Sequence, residues 1–142
     1  MQGNEMIDTY EVKSHDYTTA GDASANIKRK LKQLGIDSTI LRHVAVASYE
    51  AELNLIIHSM GGKLVLAMTP EEITLRSEDV GPGIPDIDRA LQEGYSTASE
   101  EARDLGFGAG MGLPNMRRNA DAFHIESKLG EGTKIEMKFR LQ

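Results

Sequence analysis

The sequence predicts a single α+β domain, a two-layer sandwich with helices on one face of a mixed, mostly antiparallel sheet. Three observations lead to this prediction. The chain has 142 residues, which suits one domain better than two. Two helical patterns lie in its first half. The final segment alternates strictly, as a half-buried antiparallel strand does, with Ile135, Met137, Phe139 and Leu141 on one side and Lys134, Glu136, Lys138 and Arg140 on the other.

The first half of the chain supplies an edge strand and two helices. Residues 7–15 alternate weakly and predict an edge strand. A helix is predicted over about 23–34, begun by Asp22 or Ser24 and ended by Gly35, with the apolar side Ala25, Ile27, Leu31 and Leu34. A longer helix is predicted over about 38–60, begun by Asp37 or Ser38, with the buried side Ile40, Val44, Ser48, Ala51 and Leu55.

The second half of the chain predicts mainly strands. Gly61-Gly62 ends the long helix, and residues 63–69 and 73–77 form a strand pair around a turn at 70–72. Residues 86–93 predict a short helix. Gly112 begins a further helix to about Asp121, with Pro114 in the first turn, where proline is tolerated. Residues 122–129 predict another strand.

Composition excludes several classes of protein. The chain is 39% hydrophobic and 27% charged, as expected of a soluble globular protein, and no apolar run is long enough to cross a membrane. There is no cysteine, so disulfides and thiolate chemistry are excluded. The net charge of −6 argues against a broad nucleic-acid surface. The N-terminus lacks the features of a signal peptide. The absence of cysteine leads us to expect a cytoplasmic protein. The four scattered histidines show no metal-ligand spacing, so we expect no structural metal.

A polar stripe lies on the long helix. Glu50, Asn54 and His58 recur every fourth residue and share one side, whereas Glu52 lies ~200° around the helix from Asn54. An amide oxygen suits Mg²⁺, and a carboxylate one turn earlier could accept a proton from a hydroxyl. The same stripe could also be structural, with His58 as a helix-end hydrogen bonder.

Two glycine clusters flank a polar segment. The first is Asp79-Val80-Gly81-Pro82-Gly83-Ile84, and the second runs from Gly106 to Leu113 directly into a helical pattern. Backbone amides at such a helix start can face an anion. Asp79 could accept a hydrogen bond from the exocyclic amine of a ligand, or could belong to an ordinary turn. Together the clusters indicate a nucleotide site with a movable cover.

Four segments in this order resemble the conserved boxes of the GHKL ATPase superfamily, which includes histidine-kinase catalytic domains, Hsp90, gyrase B and the MutL proteins. They are Glu50-x-x-x-Asn54, Asp79-x-Gly81-x-Gly83, Gly108-x-Gly110-x-Gly112-Leu113 and Gly132-Thr133. The helix from Glu50 to His58 is similar to that of the bacterial anti-sigma factor serine kinases. The stretches 79–87, 90–97 (with Gly94-Tyr95-Ser96-Thr97) and 112–114 look closer to the stressosome switch kinases.

The resemblance implies a Bergerat fold, one histidine-kinase-like ATP-binding domain over residues 1–142, and the cofactors ATP and Mg²⁺. It implies phosphoryl transfer from ATP to a Ser or Thr on a STAS-domain partner, an anti-sigma antagonist or a stressosome-like protein. Glu50 would be the catalytic base, Asn54 the Mg²⁺ ligand, and residues of about 87–107 the ATP lid, with Arg103 as a candidate phosphate or partner contact. Asp79 would bind the adenine amino group, with Thr133 beside it. The nucleotide-binding residues would be Asn54, His58, Asp79, Gly81, Gly83, Ile84, Gly106, Gly108, Ala109, Gly110, Met111, Gly112, Leu113 and Thr133.

Two other functions stay open from the sequence. The chain could be an ATP-dependent binding module that sequesters a sigma factor or activates a target. The basic run Lys28-Arg29-Lys30 with Lys32 would then be a docking face for an acidic partner, although it could equally be a solvated helix face. A detached histidine-kinase catalytic domain is the third possibility. A homodimer is also possible.

Overall fold

The computed structural model describes residues 6–92 and 112–141. The strands are β1 (Met6–Val12), β2 (Gly62–Met68), β3 (Glu72–Asp79), β4 (Ala122–Lys128) and β5 (Gly132–Arg140). The helices are α1 (Asp22–Gln33), α2 (Ser38–His58), α3 (Ile87–Ala90) and α4 (Gly112–Asn119), with a 3₁₀ turn at Tyr17–Thr19. The α+β class and the order of the predicted elements are therefore confirmed.

The five strands form one sheet in the order β1-β2-β3-β5-β4. All four pairings among the described strands are antiparallel, in line with the prediction of a mixed, mostly antiparallel sheet. One row of paired residues crosses four strands: Leu66 opposes Leu75, Leu75 opposes Met137, and Met137 opposes Phe123. The first three side chains of this row are fully buried, because the alternation of each strand turns them toward the helices. β1 forms one edge of the sheet, as predicted, but ends at Val12 rather than residue 15.

Helix α1 begins differently from the prediction. Its N-cap is Gly21, in the left-handed conformation at φ 99°, and not Asp22 or Ser24. Ala23 and Ser24 are buried, whereas Ala25 and Leu34 are exposed, so the apolar side starts two residues earlier than expected and ends at Leu31. The end of the helix was predicted correctly: Gly35 has φ 78°, and Ile36 N donates to Leu31 O, which closes the helix in a Schellman arrangement.

Helix α2 is the central helix, since it packs against α1, α4 and the sheet. Asp37 caps it, with its side chain accepting a hydrogen bond from Thr39 N at 3.0 Å. Its buried side is wider than predicted, because the helix is flanked by α1 on one side of the predicted apolar residues and by α4 on the other. Ile40 is only half-buried, and the buried residues are Leu41, Val44, Ala47, Ser48, Ala51, Glu52, Leu55, Ile56 and Ile57.

Helices α2, α3 and α4 are shorter than predicted. α2 ends at His58 because Gly61 takes a positive φ of 110° and turns the chain into β2. α3 covers only four residues, capped by Asp86, whose carboxylate accepts from Arg89 N. α4 ends at Asn119 rather than at Asp121. Within residues 6–92 and 112–141, no helix combines the length and the apolar character that a bilayer crossing requires.

Candidate functional site

The Asp79 loop lies against the C-terminal end of α2. Met60 N donates to Val80 O at 2.7 Å, and Val80 N donates to Gly61 O at 3.0 Å. A Cβ on Gly81 would stand 3.4 Å from the Ser59 Cα, in van der Waals contact with the end of the helix. The sequence pattern thus brings the first glycine cluster next to the helix that carries Glu50, Asn54 and His58.

Asp79 and Thr133, which the resemblance pairs, are in direct contact. Thr133 N donates to Asp79 Oδ1 at 2.8 Å, and Thr133 is only 6% exposed. Gly132 makes this approach possible, because a Cβ there would stand 2.2 Å from the Asp79 carbonyl oxygen. Burial raises the pKa of Asp79, and the hydrogen bond from Thr133 opposes that shift. Asp79 Oδ2 makes no hydrogen bond within the described residues, so it can still accept one.

Ser127 contacts Thr133 and Ile84, and it was not among the residues predicted from the sequence. Its Oγ accepts a hydrogen bond from Ile84 N at 2.7 Å and lies 2.9 Å from Thr133 Oγ1. Gly83 lies close by at φ 79°, where a Cβ would stand 2.5 Å from Lys128 O. Ser127 and Thr133 are paired across the hairpin that joins β4 to β5. The predicted strands and the glycines between them could have indicated this pairing.

The other end of the stripe meets α4. Asn115 Nδ2 donates to Glu50 Oε2 at 2.9 Å, and a Cβ on Gly112 would stand 3.8 Å from Glu50 Oε1. Leu113 is buried in the core and fixes the first turn of α4. The predicted base Glu50 and Gly112, the last glycine of the second cluster, are therefore neighbours. Asn115 was not predicted, and nothing in the local sequence indicates its contact with a helix far away along the chain.

Asn54 and His58 lie between these two ends. Both are half-buried, as is Glu50. The Asn54 amide makes no hydrogen bond among the described residues, so its oxygen can still act as a ligand. Burial lowers the pKa of His58, which favours the neutral imidazole. At 1.5 Å per residue, the stripe from Glu50 to His58 extends about 12 Å along the helix axis.

Glu52 is excluded from the stripe, as predicted, and has a different role. It is 2% exposed, and its two oxygens accept from Ala23 N at 3.1 Å and from Ser24 N at 3.0 Å. These are free N–H groups at the start of α1, where no side chain of α1 itself provides the cap. The glutamate on α2 therefore supplies the acceptor that the sequence analysis assigned to Asp22 or Ser24.

Part of the predicted site lies outside the described residues. This holds for the predicted lid beyond Gln92, including Gly94-Tyr95-Ser96-Thr97 and Arg103. It also holds for the predicted phosphate-binding residues Gly106, Gly108, Ala109, Gly110 and Met111. Their roles stay predictions.

Comparisons with known proteins identify the family of this chain. The sequence profile of the family described as "Histidine kinase-, DNA gyrase B-, and HSP90-like ATPase" matches residues 37–142. The serine/threonine-protein kinase RsbT of Bacillus subtilis (strain 168) is 30% identical over 109 residues, which are 74% of this chain and 76% of the relative. The anti-sigma F factor of Thermoanaerobacter sp. (strain X514) is 34% identical over 109 residues, 72% of this chain and 73% of the relative.

A further anti-sigma F factor, from Clostridium novyi (strain NT), is 30% identical over 148 residues and aligns with 100% of this chain and 98% of its own. The matched profile begins at the N-cap of α2 and includes both glycine clusters and the β4–β5 hairpin. The resemblance read from the four boxes is therefore confirmed. This chain belongs to the family of histidine kinase-, DNA gyrase B- and HSP90-like ATPases, the GHKL superfamily.

Proposed function

We propose that this protein is an ATP-dependent serine/threonine-protein kinase that phosphorylates a STAS-domain partner and regulates transcription by partner switching. The observation that carries the proposal is the position of Glu50. One of its carboxylate oxygens is held by Asn115, and the other makes no hydrogen bond among the described residues and faces the start of α4. A kinase that transfers phosphate to a hydroxyl uses such a carboxylate as its base. The relative named as a serine/threonine-protein kinase supports the same reaction.

The nucleotide would lie along α2 between its two ends. At one end the free oxygen of Asp79 would accept a hydrogen bond from the adenine amine, beside Thr133. Gly81, Gly83 and Ile84 would form the adjoining wall, which Ser127 holds in place through Ile84 N. At the other end the phosphates would meet backbone amides at the start of α4. The residues proposed for that end are Gly106, Gly108, Ala109, Gly110, Met111, Gly112 and Leu113.

Asn54 would hold Mg²⁺. Its amide lies on the stripe four residues after Glu50, and its oxygen has no hydrogen-bond donor among the described residues. Mg²⁺ commonly takes one or two protein ligands when phosphates and waters supply the rest, so one amide oxygen fits this cation. When bound, the cation neutralises phosphate charge. His58, one turn further along and neutral because of its lowered pKa, would contribute a hydrogen-bonding wall rather than a charge.

Transfer of radiolabelled phosphate tests the proposal. The wild type is incubated with Mg²⁺ and [γ-³²P]ATP together with each STAS-domain protein of the same genome, and incorporation is followed on gels. We expect label on a Ser or Thr of one of them, lost in Glu50→Gln without loss of ATP binding. Asn54→Ala should lose the Mg²⁺-dependent part of ATP affinity in isothermal titration. Absence of transfer by the wild type to all of these proteins would overturn the kinase assignment.

Sequestration of a sigma factor is the second candidate function. It is favoured by the relatives named anti-sigma F factor and by the basic face of α1, where Lys28, Arg29 and Lys32 are exposed while Lys30 pairs with Asp8 of β1. The exposed cations would meet acidic side chains of the partner. Co-purification with the sigma factors of the same genome, with and without ATP, tests this function. A complex that is insensitive both to nucleotide and to charge reversal at Lys28 and Arg29 would contradict it.

A further inference from the structure

We propose that Asn115 is a positioning residue for phosphoryl transfer, which orients the Glu50 carboxylate toward the incoming hydroxyl. The inference rests on the proposed kinase function. It concerns a residue outside the four boxes that carry the resemblance, and it comes from the contact between α2 and α4.

The NH₂ group and the oxygen of the Asn115 amide each make a hydrogen bond, and their two partners have opposite charges. Its Nδ2 donates to Glu50 Oε2 at 2.9 Å, and its Oδ1 accepts from the Arg118 guanidinium at 3.0 Å. A reversed amide would set its oxygen against the carboxylate and its NH₂ group against the guanidinium, and would lose both hydrogen bonds. Arg118 therefore determines which way the amide points, and the amide presents a donor to Glu50.

The position of Asn115 itself does not depend on Glu50. Leu113 and Met116, on the same helix, are buried in the core. Asn119 Nδ2 donates to Asn115 O at 2.8 Å, and Asn119 Oδ1 lies 2.9 Å from His43 Nδ1 on α2. α4 is thus attached to α2 by apolar packing and by a second asparagine one turn away. Asn115 is therefore held in place by α4, and its hydrogen bond orients the longer, more flexible side chain of Glu50.

The alignment leaves one oxygen of Glu50 free for chemistry. Oε2 is held by Asn115, while Oε1 makes no hydrogen bond among the described residues and faces Gly112 at the start of α4. In the transfer step, Oε1 takes the proton of the acceptor hydroxyl, and the hydroxyl oxygen forms a bond to the γ-phosphorus. The bond from that phosphorus to the β-bridging oxygen breaks, and ADP leaves with the electron pair. A neutral amide holds the base without placing a cation beside it, which would reduce its basicity.

Asn115→Ala, with Asn119→Ala as its matched control, tests the inference. Both remove an asparagine amide from α4, but only the first removes the donor to Glu50. ATP affinity is measured by isothermal titration with Mg²⁺, and kcat by transfer of ³²P to the STAS-domain protein that the wild type phosphorylates. We expect Asn115→Ala to keep ATP affinity within about twofold and to lower kcat about 10- to 100-fold, as for a misplaced catalytic group. Asn119→Ala should keep kcat within about threefold, because Leu113 and Met116 still hold α4 in the core and the donor to Glu50 is still present.

A double variant separates positioning from general damage to the fold. If Asn115 acts through Glu50, then adding Asn115→Ala to Glu50→Ala should cause no further loss of kcat, because the group being positioned is already absent. Multiplied losses would overturn the inference, as would a wild-type kcat in Asn115→Ala or equal losses in both asparagine variants. Each of these results leaves the kinase assignment intact, whereas a wild type without transfer overturns that assignment instead.

The pH profile gives a readout that a structural role would not move. Asn115→Asp keeps the side-chain volume and the acceptor for Arg118, and puts a second carboxylate beside Glu50. The charged or titratable side chains joined to Asn115 are Glu50 on α2 and Arg118 on α4, and His43 on α2 is joined to Asn119. A like charge raises the pKa of a carboxyl group, so the acidic limb of kcat should move up by about one pH unit or more. Asn119→Asp, with the same added charge one turn away, should move it less, and equal shifts would contradict the inference.

Discussion

Removing the Glu52 carboxylate should destabilise the fold more than any other single change on the polar side chains of α2. Glu52→Ala deletes two hydrogen bonds from backbone N–H groups to a charged acceptor, each contributing about 1.5–3 kcal/mol. Ala23 and Ser24, which carry those N–H groups, are both 7% exposed, so water replaces the lost acceptor poorly. The helix N-terminus also favours a negative charge by a few tenths to 2 kcal/mol. We expect a loss of about 3–5 kcal/mol in the free energy of unfolding.

Urea unfolding followed by circular dichroism measures this loss. At an m-value of about 2 kcal/mol per M, the urea midpoint should fall by roughly 1.5–2.5 M in Glu52→Ala. Glu52→Gln should lose about half as much, because one oxygen can still accept while the NH₂ group opposes the second N–H. Glu50→Gln is the matched control, two residues away on the same helix. Its amide oxygen can still accept from Asn115, so its midpoint should change by less than about 0.5 M. A wild-type midpoint in Glu52→Ala, or equal destabilisation by the two Gln variants, would refute the reasoning.

Three further changes test the Asp79 end of the site. Burial raises the pKa of Asp79, so its ionised form costs folding free energy above that pKa, and the cost disappears as pH falls below the unfolded value of about 3.9. Nucleotide-free Asp79→Asn should therefore have a melting temperature at or above that of the wild type at pH 7, and the difference should shrink toward pH 4. Its preference for ATP over GTP should fall. A melting temperature below that of the wild type at pH 7 would contradict this reasoning. Gly132→Ala should lower the free energy of unfolding in urea by more than about 3 kcal/mol, because the added Cβ would stand 2.2 Å from Asp79 O. Gly130→Ala, at φ 77° with no atom near the added Cβ, should lower it by about 1–2 kcal/mol. Equal losses in the two variants would count against the packing argument. Ser127→Ala should weaken ATP binding about tenfold in isothermal titration, because Ile84 N and Thr133 lose their shared partner; an unchanged Kd would exclude that role.

Local signals in the sequence predicted most of the fold. The strict alternation from Lys134 to Arg140 identified β5, and Gly35 and Gly61 marked helix ends that the structure places at positive φ. These features depend on the conformational preferences of neighbouring residues, which the sequence states directly. The family resemblance then implied that Thr133 lies beside Asp79, and these two residues, far apart along the chain, are in contact in the structure.

The errors arose where a distant residue replaced a local one. Asp22 and Ser24 have the side chains of good N-caps, but Glu52 already satisfies the N–H groups at the start of α1, so the cap position could be glycine. Asn115 was missed for the same reason, because its partner lies on another helix. A sequence pattern states which groups need partners, whereas only the packing of α1, α2 and α4 decides which residues supply them.

The hydrogen bonds of the two most informative carboxylates separate a structural role from a functional one. Both oxygens of Glu52 accept from backbone N–H groups, so this side chain has little capacity left for a ligand. Asp79 accepts one hydrogen bond, through Oδ1, and its second oxygen has no donor within residues 6–92 and 112–141, although burial already disfavours its charge. A partly buried acceptor without its donor lowers the stability of the ligand-free protein, and a bound donor recovers that free energy. The cost at Asp79 is therefore understandable if the missing donor comes from a ligand, which supports the proposed binding role of Asp79, whereas the Glu52 carboxylate stabilises the start of α1.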